Sequence, residues 1–148
     1  ILMEEHANEP VDVARVVKML LLHDIVEIDA GDTFVYDAVA SAEQEEKELA
    51  AAKRLFGMLP EEQGRALFEL WLEFEAAESA DAKFAKALDR LIPMLLNYHN
   101  DGQSWQEHGV TREQALTINK RIGLGSEVLW EKAQQVIAEA TEKGWLKA

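Results

Sequence analysis

Apolar residues recur at intervals of three and four along almost the whole chain, and this spacing constrains the fold most strongly. Between Val11 and Val26, valines and leucines return once per helical turn, while Arg15 and Lys18 fall on the opposite side. This pattern predicts an amphipathic helix. We find no convincing segment with the alternation of a half-buried strand. The sequence therefore predicts an all-α helical bundle that forms one domain over residues 1–148.

Signals for helix boundaries divide this pattern into several helices. The first long helix is expected to end near Val26, because a polar loop with a glycine is expected at residues 28–33. A second polar loop is expected at residues 97–109. The residues that favour the start of further helices are Ser41, Pro60, Ser79 and Thr111.

A long last helix is expected after Thr111, with a break near residues 123–125. Val128, Leu129 and Trp130 lie in this helix, and we expect them to be exposed. Exposed apolar residues of this kind point to a homodimer.

Composition narrows the possible partners and the cellular location. Acidic residues outnumber basic ones 28 to 15, for a formal charge of −13. Because long nucleic acids are bound through Lys and Arg, they are excluded as ligands. No apolar run reaches the roughly 20 residues that span a membrane. Cysteine is absent, which rules out thiolate metal sites and agrees with a cytoplasmic protein.

His23 and Asp24 stand side by side near the end of the first long helix, and Glu27 follows one turn later. Imidazole and carboxylate together suit Mn, Fe, Co, Ni or Zn. Glu27 could then orient or deprotonate a water molecule. The alternative is a histidine that caps carbonyl groups at the helix end. The apolar face that these residues continue favours the metal, since uncompensated charge there is costly.

Asp89 lies within the apolar stripe of a later helix. It could form an ion pair with Arg90 or Lys86 on the helix surface, or it could be a further metal carboxylate. The residues alone leave both interpretations open.

The residues at 21–33 (LLHDIVEIDAGDT), followed much later by 87–91 (ALDRL), resemble the HD superfamily of metal-dependent phosphohydrolases. Within it they are most similar to the HD-domain-containing protein 2 group, which includes 5′-deoxynucleotidases. The resemblance implies that His23, Asp24 and Asp89 bind one divalent ion, which would be Mn, Co, Fe, Ni, Zn or Mg. It also implies catalytic roles for Glu27 and Asp32.

The resemblance also implies a further histidine ligand, together with an arginine that faces the phosphate, in a helical segment before Ile1. The domain is therefore expected to lack its N-terminal helix segment here. His6 lies too close to the His-Asp pair to replace that histidine. No histidine occurs between Asp24 and Asp89, which favours one metal over two. The later histidines are expected to be exposed; they are His99 and His108.

The predicted activity is hydrolysis of a nucleoside or deoxynucleoside 5′-monophosphate to nucleoside and phosphate. Two alternatives remain. One is an HD phosphohydrolase acting on another phosphoester, such as a cyclic nucleotide or a nucleoside triphosphate. The other is a non-catalytic helical module that binds a partner protein.

Overall fold

The computed structural model describes residues 1–31 and 41–148, and this part of the chain is almost entirely helical. The all-α prediction is confirmed. The first residues form a short 3-10 helix at Glu4–His6. The α-helices that follow are α1 (Val13–Ala30), α2 (Ser41–Phe56), α3 (Glu61–Ala76), α4 (Ala80–His99), α5 (Gln103–His108), α6 (Arg112–Asn119), α7 (Ile122–Gly125) and α8 (Glu127–Glu142).

Helix α4 is the centre of the bundle. Its 20 residues give it a length of about 30 Å. It contacts α1 and α3 from the earlier part of the chain and α5, α7 and α8 from the later part. We call α1–α4 the site half and α5–α8 the C-terminal half. One apolar core runs through both, and its most deeply buried large side chains include Met19, Val26, Phe74, Leu91, Ile122 and Ile137.

Side-chain caps begin several of these helices where the sequence predicts them. The hydroxyl of Ser79 accepts a hydrogen bond from the backbone N–H of Ala82 at the start of α4. At the start of α6, Thr111 and Gln114 form a reciprocal capping box. Such contacts satisfy N–H groups that have no partner within the helix.

The predicted end of the first long helix is wrong by about one turn, because α1 continues through Ala30. Nothing at positions 28–30 breaks a helix. The helix stops at Gly31, which has a φ of +81°, and the N–H of Gly31 donates to the carbonyl of Glu27. Asp29 is held within the helix by an ion pair with Arg54 of α2.

The predicted loop at residues 97–109 is also wrong for most of its length. Helix α4 extends to His99 and α5 occupies Gln103–His108. The indole of Trp105 is buried in the core, and the backbone N–H of Ser104 donates to the side chain of Asn97. These contacts stabilise a short helix that local composition does not reveal.

The predicted long last helix is divided into α6, α7 and α8. The breaks lie at residues 120–121 and at Ser126, on either side of the predicted position, because residues 123–125 belong to α7. Leu129 is buried, contrary to the expectation that it is exposed, while Val128 is exposed and Trp130 is partly buried. The homodimer stays a prediction, and the exposed apolar surface that favours it is smaller than expected. Over residues 1–31 and 41–148, no helix combines the length and the apolar character needed to cross a bilayer.

Candidate metal centre

Helix α1 places three potential ligand side chains on neighbouring turns. Its buried face includes Leu22 and Val26, and His23 lies beside this face with an imidazole that is only 13 % exposed. Asp24 is exposed and Glu27 is partly buried. One ligand atom from each of His23, Asp24 and Glu27 lies within 4.8 Å of the others. Position along one helix therefore accounts for this cluster.

Helix α4 adds a carboxylate from 66 positions further along the chain. The Oδ1 atom of Asp89 lies 3.6 Å from Nε2 of His23. Glu27 Oε1 lies 3.1 Å from the same nitrogen. Nε2 therefore faces carboxylates from two helices. Lys86 is one of the two residues that could have formed an ion pair with Asp89. It is buried and pairs with Glu75.

The spacing and chemistry of these atoms fit a single divalent ion. Two ligands about 2.1 Å from one metal lie roughly 3–3.5 Å apart in tetrahedral or octahedral geometry. The distance from His23 Nε2 to Asp89 Oδ1, 3.6 Å, is close to this range. Nitrogen and carboxylate oxygen are ligands that suit Mn, Fe, Co, Ni and Zn. Three carboxylates around one imidazole also repel one another, which a cation would relieve.

The other ring nitrogen of His23 faces a group that the sequence did not reveal. Glu75 Oε1 lies 3.7 Å from Nδ1 and 3.1 Å from the ammonium of Lys86. That ammonium also lies 3.9 Å from the ring centre of Phe74, and the Phe74 and His23 rings are 4.8 Å apart. Glu75 is one of several acids near the end of α3, and its only sequence signal is its position four residues after the buried Trp71.

An ionic network ties together the helices that carry these residues. Arg15 of α1 pairs with Glu73 of α3 and with Asp81 of α4. The hydroxyl of Ser79 donates to Glu73. That hydroxyl and then Arg15 lower the pKa of the Glu73 carboxyl, and both acids raise the pKa of Arg15. The network links α1, α3 and α4 through partly exposed ion pairs.

The remaining predicted residues lie elsewhere or outside the described part. Asp32 lies outside the described residues. The backbone carbonyl of His6 accepts a hydrogen bond from Ser126 at the start of α8. His99 and His108 are exposed, as predicted. Arg54 lowers the pKa of the Asp29 carboxyl by pairing with it.

Comparison with known proteins identifies the family of the chain. A family model described as HD domain matches residues 1–130. The chain belongs to the HD-domain family. The matched residues include the His23-Asp24 pair. They extend from before α1 into α8.

A solved structure closely resembles this one. It is a crystal structure described as a predicted metal-dependent phosphohydrolase from Magnetospirillum magnetotacticum MS-1, with 48 % identity and a TM-score of 0.91. The match covers 99 % of this chain and 75 % of that one. This likeness confirms the HD-domain fold over nearly the whole chain.

Two curated relatives are named 5′-deoxynucleotidase HDDC2. The protein from Bos taurus is 39 % identical over 92 residues, covering 62 % of this chain and 43 % of the relative. The protein from Danio rerio is 30 % identical over 130 residues, covering 84 % and 64 %. This HD-domain chain therefore spans less than two thirds of the length of these relatives.

Proposed function

We propose that this HD-domain phosphohydrolase hydrolyses nucleoside 5′-monophosphates, including deoxynucleotides, to nucleoside and phosphate with one divalent metal ion. The observation that carries the proposal is the convergence of His23 and Asp89, from two different helices, beside Glu27. The substrate class comes from the names of the curated relatives. The described residues do not select a base or a sugar.

In this proposal His23, Asp24 and Asp89 hold the ion. When bound, it supplies a positive charge that polarises a phosphoryl oxygen and makes water more acidic. The histidine that the resemblance places before Ile1 stays a predicted further ligand. The acidic side chains also explain why a cation is needed, since three carboxylates would otherwise repel the phosphate of the substrate.

Glu27 is proposed as the general base. Its carboxylate lies on the Nε2 side of His23, with the metal carboxylates, and can accept a proton from the water that attacks phosphorus. The bond between phosphorus and the 5′ oxygen then breaks, and the leaving oxygen takes up the proton that Glu27 accepted from water, directly or through solvent. Asp32 is proposed to lie near that oxygen or the sugar.

Phosphate release from a panel of nucleotides, with Mn²⁺ or Co²⁺ added, tests the proposal. We expect release from nucleoside 5′-monophosphates, and we expect Asp89→Asn to lose activity together with bound metal. Asp29→Asn is the matched control, because the Asp29 carboxylate pairs with Arg54 instead of facing His23. It should keep both.

Other results would replace the proposal with one of its alternatives. Turnover confined to a cyclic nucleotide or a nucleoside triphosphate would indicate a different phosphoester substrate. A protein that binds no stoichiometric transition metal, and in which Asp24→Ala changes only stability, would be a non-catalytic module.

A further inference from the structure

The two nitrogens of His23 face surroundings of different charge. On the Nε2 side lie the carboxylates of Glu27 and Asp89. On the Nδ1 side lies the carboxylate of Glu75, and the ammonium of Lys86 neutralises it at 3.1 Å. The Nε2 side is therefore the more negative one, and a divalent cation would be held more strongly there.

A histidine that binds a metal through one nitrogen carries its proton on the other. That N–H is commonly donated to a carboxylate or a carbonyl, which fixes the ring orientation and makes the ligand nitrogen more basic. Glu75 Oε1 is the carboxylate oxygen on the Nδ1 side of His23. The separation of 3.7 Å is an electrostatic contact rather than a hydrogen bond. Hydrogen bonds within active sites are often long before ligands bind and shorten in the complex.

We propose that Glu75 is a positioning residue: its carboxylate accepts a hydrogen bond from the Nδ1–H group of His23 and so directs Nε2 toward the metal. This inference rests on the proposed function, because it assumes a metal at Nε2. It assigns a role to a residue of α3, so that α1, α3 and α4 all contribute to one centre.

Lys86 holds Glu75 in place for this role. Its side chain is only 11 % exposed, and its ammonium lies over the ring of Phe74. The same ring lies beside the imidazole of His23. Phe74 is fully buried, so it sets the positions of both groups. A buried ammonium needs a partner, and Glu75 provides one.

The affinity of the purified protein for Zn²⁺ alone, measured by competition with a chromophoric chelator, tests the role of Glu75. We expect Glu75→Gln to weaken binding about 10–100-fold, the usual effect of losing an outer partner of a metal-binding histidine. Glu73→Gln is the matched control. Its carboxylate leaves the same helix two residues earlier and pairs with Arg15, so Zn²⁺ affinity should change less than about twofold.

A double variant separates positioning from simple folding. Glu75→Gln leaves Lys86 buried without its carboxylate, which lowers stability. Glu75→Gln combined with Lys86→Met removes both charges and keeps an unbranched side chain over Phe74. We expect the double variant to regain thermal stability but not Zn²⁺ affinity. A purely structural role predicts that both recover together.

Nitrogen NMR of the Zn²⁺-loaded protein provides a second readout. We expect His23 to bind zinc through Nε2 and to carry its proton on Nδ1. Binding through Nδ1, or an unchanged Zn²⁺ affinity in Glu75→Gln, would overturn the role of Glu75 and leave the proposed function standing. A wild-type protein that binds neither Zn²⁺ nor Mn²⁺ would overturn both.

Discussion

The surroundings of polar side chains differ between the two halves of the bundle. In the C-terminal half, the hydroxyl of Ser126 donates to the carbonyl of His6, and the amide of Asn119 donates to the carbonyl of Ala115. Both side chains are buried, and backbone groups satisfy them. In the site half, His23 is surrounded by carboxylates that repel one another. In the C-terminal half these polar groups stabilise the fold, whereas around His23 we propose that they bind a cation.

Packing differs between the halves as well. A Cβ atom added to Gly125 of α7 would lie 2.3 Å from the carbonyl oxygen of Lys83 in α4. The backbones of these two helices are therefore in direct contact. Beside His23 the neighbours are charged side chains and the ring of Phe74. Close backbone packing supports α4 near Lys83, whereas the residue of α4 that we expect to bind the metal is Asp89.

The largest effect is expected from Glu27→Gln, which should strongly reduce catalysis in the site half without unfolding it. We expect turnover to fall about 10²–10⁴-fold, the usual contribution of a general base. The free energy of unfolding should stay the same or rise, since one of several like charges is removed. Steady-state kinetics and chemical denaturation measure the two quantities. Full turnover in this variant would show that Glu27 is not the base.

Gly125→Ala should have the opposite effects: it should lower stability and leave turnover unchanged. The added methyl group meets backbone that cannot move aside, so we expect a loss of about 3 kcal/mol or more, with normal turnover per folded molecule. Gly123→Ala in the same helix is the control, because the nearest atoms that its Cβ would meet belong to the Trp130 side chain, at 3.4 Å. Thermal unfolding measures both. Equal stability of the two variants would contradict the close contact between α7 and α4.

Thr111→Ala should produce a smaller loss in the C-terminal half. It removes the oxygen that accepts from the N–H of Gln114 at the start of α6, which typically costs about 1 kcal/mol. Thr117→Ala, in the same helix and away from its cap, should be neutral or slightly stabilising, because alanine favours helix. Chemical denaturation compares the two. A loss shared by both would mean that the cap is not responsible.

The smallest effect concerns the network behind the site. The folded-state pKa of Glu73 is lowered by Ser79 and Arg15, so its stabilisation is present above the ordinary pKa of a glutamate and is lost as pH falls through the lowered value. Glu73→Gln should therefore cost of order 1 kcal/mol or less near neutrality, since the pair with Arg15 is partly exposed. The difference from wild type should vanish in acid and shrink in high salt. A difference that is constant with pH would exclude the ionic explanation.

These contrasts show which features the sequence could predict. The helices follow from apolar spacing and caps such as Ser79 and Thr111, because both act between residues close together in the chain. The boundary at Ala30 was missed because only Gly31 ends the helix, and its effect depends on its backbone conformation. Helix α5 was missed because it depends on the burial of Trp105 by distant residues.

The same distinction applies to the candidate metal centre. His23, Asp24 and Glu27 share one helix, so their proximity was encoded in spacing that can be read directly, and the resemblance to a family supplied Asp89. Glu75 and Lys86 have no such signal, since only the packing of α3 and α4 around Phe74 brings them to Nδ1 of His23. The chain by itself determined an acidic helical protein with a His-Asp pair. Tertiary structure alone decided which carboxylate faces each ring nitrogen, because contacts between distant helices depend on how the core packs.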